Sequence, residues 1–229
     1  QGTHGEEVVS EAADKDSPLT PVDAARDSLF YSVMRIAAVL IVTLLLKLRC
    51  RGIRNVPREG GVLLVCTHQS HLDPMIYAAH LRRQVSFFAK AELFENRYFS
   101  AFIRALHAFP VRRGEADVGA MKEAIRRVKA GAALLVFPEG TRSIDGSIKP
   151  LEAGIGLIAR RAGVPVIPAV VDGSWKVLPK GAKFPRFQKV EVMYGEPLRV
   201  DGLKPAEIVT LIERTLREMQ VELSRRIAE

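Results

Sequence analysis

The chain contains an apolar run that stops abruptly in functional groups: Val62-Leu63-Leu64-Val65-Cys66 leads straight into Thr67-His68-Gln69-Ser70-His71-Leu72-Asp73-Pro74. The run is short, rich in β-branched residues and preceded by the breaker pair Gly60-Gly61, which favours a buried strand over a helix. Asp73-Pro74 then reads as an N-cap followed by proline at the first helical position. Within one continuous helix, side chains five residues apart diverge by roughly 140°. Across a strand-to-helix turn, His68 and Asp73 can instead converge. Such a turn sets His68 at the carboxyl end of a strand, where open α/β sheets bind their ligands.

Strand-like and helix-like stretches alternate along the rest of the chain. A helix is expected near 74–82, a strand near 85–89, a helical region to about 106 and a short strand over 109–111. Residues 116–130 place Val118, Met121, Ile125 and Val128 on one helical face, with Lys and Arg opposite. Further strands are expected over 133–137, 166–171 and 190–194, with a helix near 153–162 between the first two. An amphipathic helix then runs from Lys204-Pro205 to about 227, with Ile208, Leu211, Ile212, Leu216, Met219 and Leu223 inward. The alternation predicts a single α/β domain over 49–229, with a mostly parallel central sheet flanked by helices.

Two segments precede that domain. Residues 1–22 are rich in Glu, Asp and Ser, lack apolar periodicity and read as a flexible acidic tail. Residues 23–48 read as a membrane-associating helix, hydrophobic over 29–48 apart from Ser32, Arg35, Thr43 and Lys47. At roughly 100° per residue those four share one narrow stripe, which favours lying in a membrane interface over spanning it. A single span of ~20 residues is the next alternative, and a helix packed on the domain's own core the third. No cleaved signal peptide is expected, because the run starts late and no small-x-small site follows it. Lys47, Arg49, Arg51 and Arg54 then place the domain on the cytoplasmic face by the positive-inside rule.

The net charge of +8 hides an asymmetry. Residues 1–27 hold seven acids and two bases, so the remainder carries +13. A body this basic calls for an anionic partner: nucleic acid, anionic lipid headgroups or a phosphorylated substrate. Aromatic residues are few and no recognition signature interleaves them with the bases, so nucleic acid is not expected. Two cysteines, Cys50 and Cys66, suggest a reducing compartment and no disulfide framework.

His68 and Asp73 suit general-base chemistry. The carboxylate accepts one ring N–H, fixing the tautomer, and the other nitrogen takes a proton from a hydroxyl. No serine or cysteine nucleophile accompanies them, which points to direct transfer onto an acceptor alcohol. Read alone, the pair serves equally well as a helix cap and a strand end. A second apolar run, Leu134-Leu135-Val136-Phe137, ends in Pro138-Glu139-Gly140-Thr141-Arg142-Ser143. Gly140 permits close backbone approach and Arg142 offers a fork matched to phosphate oxygens. Neighbouring parallel strands end at one edge, so both clusters should share a cleft. Phe109-Pro110-Val111 ends likewise in Arg112-Arg113.

Two other patterns are set aside. Gly154-Ile155-Gly156-Leu157-Ile158-Ala159 fits the dinucleotide fingerprint, but the polar, turn-rich stretch before it is no strand, so helix packing is the reading. His68, His71 and Asp73 match no common zinc spacing, and no metal is assigned.

The ordered combination HQSHLD, FPVRR and FPEGTRS, followed by Val164-Pro165-Val166-Ile167-Pro168, resembles the glycerolipid acyltransferase family that includes 1-acylglycerol-3-phosphate acyltransferases. The resemblance covers roughly residues 50–200. It implies transfer of a fatty acyl group from acyl-CoA or acyl-carrier protein, as donor substrate and with no cofactor, to the free hydroxyl of a lysophospholipid, giving phosphatidic acid. It implies His68 as base, Asp73 as its orienting partner, and Arg113, Glu139, Gly140, Thr141 and Arg142 as substrate-binding residues. Thr67 stands where the family often has asparagine, His107 where it often has glycine, and Glu152 where it often has lysine. The last bears on the acceptor headgroup. The alternatives are another lysolipid acceptor, a metal-dependent hydrolase, or a non-catalytic protein that binds anionic lipid.

Overall fold

The computed structural model describes residues 46–105, 107–111, 118–177 and 186–228, together with Val33, Ile36, Leu40 and Thr43. The expected acidic tail, most of the expected membrane-associating helix and the Arg112-Arg113 pair lie outside the described residues. Among the described residues, seven strands form one sheet: β1 (Arg49–Arg51), β2 (Val62–Cys66), β3 (Val85–Lys90), β4 (Ala108–Val111), β5 (Ala133–Val136), β6 (Val166–Asp172) and β7 (Glu191–Tyr194). Their spatial order is β1-β7-β6-β2-β5-β3-β4, and every neighbouring pair is parallel except β6 with β7. The helices are α1 (Asp73–Ala79), α2 (Arg97–Ala105), α3 (Val118–Lys129), α4 (Gly154–Ala162), α5 (Ser174–Val177) and α6 (Pro205–Ala228).

β2 lies at the centre, and its continuous apolar run follows from that position. Leu63 and Val65 face a core shared with Val128, Ile155, Ile158, Ile208 and Ile212. Val62, Leu64 and Cys66 face the other, shared with Ile76, Tyr77, Ile167 and Tyr194. All five are fully buried, so each apolar side chain contributes roughly 1.5–3 kcal/mol by leaving water. The strand that carries His68 at its end is therefore held from both sides. Register pairs Val65 with Val136, so β2 and β5 end side by side and deliver their polar tails to one edge.

The helical segment that includes Val33, Ile36, Leu40, Thr43 and Leu46 joins at that same edge. Val190 donates its N–H to the Leu46 carbonyl (3.0 Å), and the start of β7 pairs with the end of β6 through Asp172 and Glu191. Val33, Ile36 and Leu40 are exposed, whereas Leu46 is buried. Among the described residues, no helix is long and apolar enough to cross a membrane.

The structure departs from the sequence expectations in several places. β1 and the one-turn helix α5 were not expected, and the last strand runs antiparallel to its neighbour. Val118, expected on the inner face of α3, is exposed; Met121 and Ile125 pack partly buried against the core as expected, beside the fully inward Ala120, Ala124 and Val128. The expected N-cap at Asp73 is one residue off. Leu72 occupies the cap position and makes no side-chain cap bond, while Asp73 begins the helix and turns its carboxylate back onto the preceding turn. The glycine-rich stretch at 154–159 is helix packing, as read: a Cβ on Gly156 would stand 2.2 Å from the Pro205 carbonyl oxygen of α6.

α3 is fastened over β4 by a charge cluster. Glu123 accepts from Arg126 Nε (2.7 Å) and Arg127 Nε (2.6 Å), and the buried Arg127 guanidinium lies 4.6 Å from the Phe109 ring centroid. Burial pushes the Glu123 carboxyl up, but the hydrogen bonds from Arg126 and Arg127 outweigh it and hold the group below its ordinary 4.5. A depressed carboxylate contributes stability that is present above its unfolded pKa and lost as pH falls through the folded one. Glu123→Gln is therefore expected to cost about 1–2 kcal/mol at pH 7, read by denaturant unfolding. The gap to wild type should close at acid pH below the depressed value. A gap that is constant with pH contradicts the assignment.

Candidate active site

The site is built at the carboxyl edge of β2 and β5. His68 (6% exposed) directs Nδ1 at Asp73 Oδ2 (3.0 Å), and Asp73 is fully buried. The same oxygen accepts the N–H groups of Gln69 (2.5 Å) and Ser70 (2.6 Å). Three donors converging on one carboxylate oxygen hold it in place and keep a proton on Nδ1. Nε2 is then the ring nitrogen that can accept a proton from a substrate hydroxyl.

The loop after β5 clamps the backbone of His68 from both sides. Glu139 Oε1 accepts the His68 N–H (2.8 Å), and Glu139 Oε2 accepts the Lys149 N–H (3.0 Å). Ser143 donates its own N–H to the His68 carbonyl (2.7 Å). Burial of Glu139 raises its pKa, while the backbone donors of Lys149 and His68 oppose the rise. Its carboxylate thus points inward as a brace between the His68 turn and the loop.

Gly140 adopts φ +63°, a left-handed conformation that glycine reaches at no steric cost. A Cβ there would stand 2.8 Å from Glu152 Oε1, so the Glu152 carboxylate lies beside the turn. Thr141 is exposed and Arg142 half-buried, with the Arg142 carbonyl held by Lys149 Nζ (3.1 Å). Of the expected site residues, His68, Asp73 and Glu139 are joined by direct hydrogen bonds. Gly140, Thr141 and Arg142 belong to the same loop, next to Ser143. Arg113 lies outside the described residues. β4, which leads to it, is separated from β2 by β5 and β3, roughly 14 Å at about 4.8 Å per strand.

Three features escaped the sequence reading. The Phe137 ring stacks on His68, with centroids 4.0 Å apart and planes at 18°. Gln69 turns inward, its Oε1 accepting from Ser174 Oγ (3.3 Å) and its Nε2 donating to the Gly146 carbonyl (3.3 Å). Thr67 and Tyr77 form a buried hydroxyl pair (3.1 Å) behind the imidazole. Phe137 ends an apolar run, which signalled burial but gave no partner. An open cleft of about 880 Å³ lies among Arg160, Val164, Glu196, Arg199 and Asp201. It sits at the amino end of β6, the opposite edge from His68, and is no part of this site.

A profile of the family described as Acyltransferase matches residues 47–172, which span more than half of the chain and every strand except β7. The chain belongs to the acyltransferase family. It is 32% identical over 145 residues to the 1-acyl-sn-glycerol-3-phosphate acyltransferase of Bacillus subtilis, covering 63% of this chain and 70% of that protein. To the Streptococcus pneumoniae protein of the same name it is 28% identical over 201 residues, covering 85% and 73%. Among solved structures it is similar to the 1-acyl-sn-glycerophosphate acyltransferase PlsC from Thermotoga maritima, with a TM-score of 0.76 and 28% identity over 85% of this chain and 79% of that one.

Proposed function

We propose that this enzyme moves a fatty acyl group from acyl-CoA or acyl-carrier protein to the free hydroxyl of 1-acylglycerol-3-phosphate, giving phosphatidic acid. The observation that carries the reading is the contact of His68 Nδ1 with the buried Asp73 carboxylate at the carboxyl edge of the sheet. The names of its relatives supply the acceptor. His68 Nε2 takes the acceptor proton as the hydroxyl oxygen attacks the thioester carbonyl. The new C–O bond gives a tetrahedral oxyanion, whose collapse breaks the C–S bond. The thiolate then leaves and takes the proton back from the imidazolium. No covalent enzyme intermediate is formed.

In this reading Arg142 holds the acceptor phosphate, Gly140 and Thr141 line its approach, Arg113 adds charge, and Glu139 acts through the His68 backbone. The enzyme works as a monotopic protein on the cytoplasmic face of a membrane. Support comes from the exposed Val33, Ile36 and Leu40, on a helical segment that joins the sheet at the edge bearing His68. A lysolipid with another headgroup is the second reading, favoured by the Glu152 carboxylate beside Gly140. The test is product formation with lysophosphatidate and a panel of neutral, zwitterionic and amine-bearing lysolipids, each with acyl-CoA and with acyl-carrier protein. Phosphatidate as the fastest product supports the first reading. Preference for an amine-bearing acceptor supports the second, and no product from any pair contradicts both.

A further inference from the structure

We propose that Tyr77, acting with Thr67, is a positioning residue that sets His68 against Asp73; the inference rests on the acyl-transfer reading above. Asp73 opens α1 and Tyr77 follows four residues later, so both project from one face of the helix toward the end of β2. Asp73 holds the His68 ring, and Tyr77 holds the residue immediately before it. The fully buried Tyr77 hydroxyl meets Thr67 Oγ1 at 3.1 Å and donates to the Thr67 carbonyl at 3.1 Å. Thr67 Oγ1 in turn accepts the Val171 N–H of β6 (3.1 Å).

A phenol and a threonine hydroxyl carry one hydrogen each, and the Tyr77 hydrogen has two carbonyls in reach, Thr67 at 3.1 Å and Ala169 on β6 at 3.4 Å, of which Thr67 is the nearer. Thr67 Oγ1 accepts from Val171 and donates to the Tyr77 oxygen, and Tyr77 donates to the Thr67 carbonyl. The far end of the helix segment is tied as well, because the Tyr77 carbonyl accepts the hydroxyl of Tyr194 on β7. The Tyr77 ring also lies 6.1 Å from Phe137, which stacks on the His68 ring. Helix α1 is thus fixed at two points one turn apart to the segment that follows β2, Asp73 to the turn at 68–70 and Tyr77 to Thr67, and these ties set the His68–Asp73 separation. A phenylalanine fills the same volume, so burial alone gives no reason for the hydroxyl to sit on the residue that precedes His68.

The proposal is tested with steady-state kinetics on Tyr77→Phe, Thr67→Val, Thr67→Ser and the Tyr77→Phe/Thr67→Val double variant, below their unfolding midpoints. Tyr77→Phe and Thr67→Val each remove a hydroxyl that makes two buried hydrogen bonds, and each is expected to lower kcat about tenfold, while KM for the acceptor stays within about twofold. Thr67→Ser keeps the hydroxyl and should stay near wild type, and the double variant should be little worse than either single one. Full kcat in Tyr77→Phe, a loss confined to KM, or losses that multiply in the double variant each overturn the proposal. Where Tyr77→Phe does not fold, Thr67→Val against Thr67→Ser makes the same decision. A wild-type enzyme that acylates no lysolipid overturns the parent reading, whereas an active wild type with a fully active Tyr77→Phe overturns this inference alone.

Discussion

His68→Ala is expected to lower kcat for acyl transfer by about 10²–10⁴-fold, the contribution typical of a positioned general base, with little change in KM or in unfolding midpoint. The asymmetry follows from how His68 is held. Its backbone N–H and carbonyl are fixed by Glu139 and Ser143, and neither contact needs the imidazole. Removing the ring deletes one hydrogen bond to Asp73 and the stacking partner of Phe137, and leaves the turn clamped. A variant that keeps wild-type kcat removes His68 from the chemistry. One that fails to fold shows that the ring, not the clamp, holds the turn.

Asp73→Ala is expected to cost both activity and stability. Its Oδ2 serves three donors, His68 Nδ1 and the N–H groups of Gln69 and Ser70, in a fully buried position. Alanine leaves two buried backbone donors without their acceptor, at about 1–3 kcal/mol each, so a total of about 2–6 kcal/mol is expected in denaturant unfolding. Without the carboxylate, the imidazole loses the group that fixes its tautomer and supports its positive charge. The expected loss in kcat is about 10³-fold, measured at a temperature where the variant is folded. The two variants therefore differ in kind: His68→Ala is stable and inactive, Asp73→Ala inactive and unstable. Asp73→Ala with wild-type stability would show that water replaces the carboxylate at the turn, and kcat within tenfold of wild type would remove the dyad from the mechanism.

The parts of this structure that were legible in the sequence are those where burial leaves little choice. Val62–Cys66 and Ala133–Val136 lose solvent on both faces, so a continuous apolar run is required, and its abrupt end marks the edge of the sheet. β1 gave no such signal. Arg-Cys-Arg turns only Cys50 toward the core, and its partner β7 lies far along the chain. The antiparallel direction of β7 likewise depends on the path taken after β6, which local pattern does not encode.

Within the site, residue types were legible and directions were not. Pro138, Glu139 and Gly140 announced a turn. That Glu139 swings inward to accept two backbone N–H groups follows from the left-handed bend at Gly140 and from how the loop to Lys149 returns. A motif shared with relatives cannot distinguish a carboxylate that faces a ligand from one that faces the backbone beside it. Tyr77 carried a usable signal, its four-residue spacing from Asp73. The partner of its hydroxyl, Thr67, became evident only once α1 was folded back onto β2.

Direct transfer from thioester to acceptor hydroxyl through the His68–Asp73 pair is the step on which the rest of the mechanism depends. Its most direct test follows thiol release from acyl-CoA and formation of acylated lipid in one reaction, with intact-protein mass spectrometry on the enzyme given donor alone. With direct transfer, the two products form one to one, only when the lysolipid is present, and the enzyme mass is unchanged by donor. Acyl-enzyme on donor alone, or thiol released at the same rate without acceptor, would contradict it.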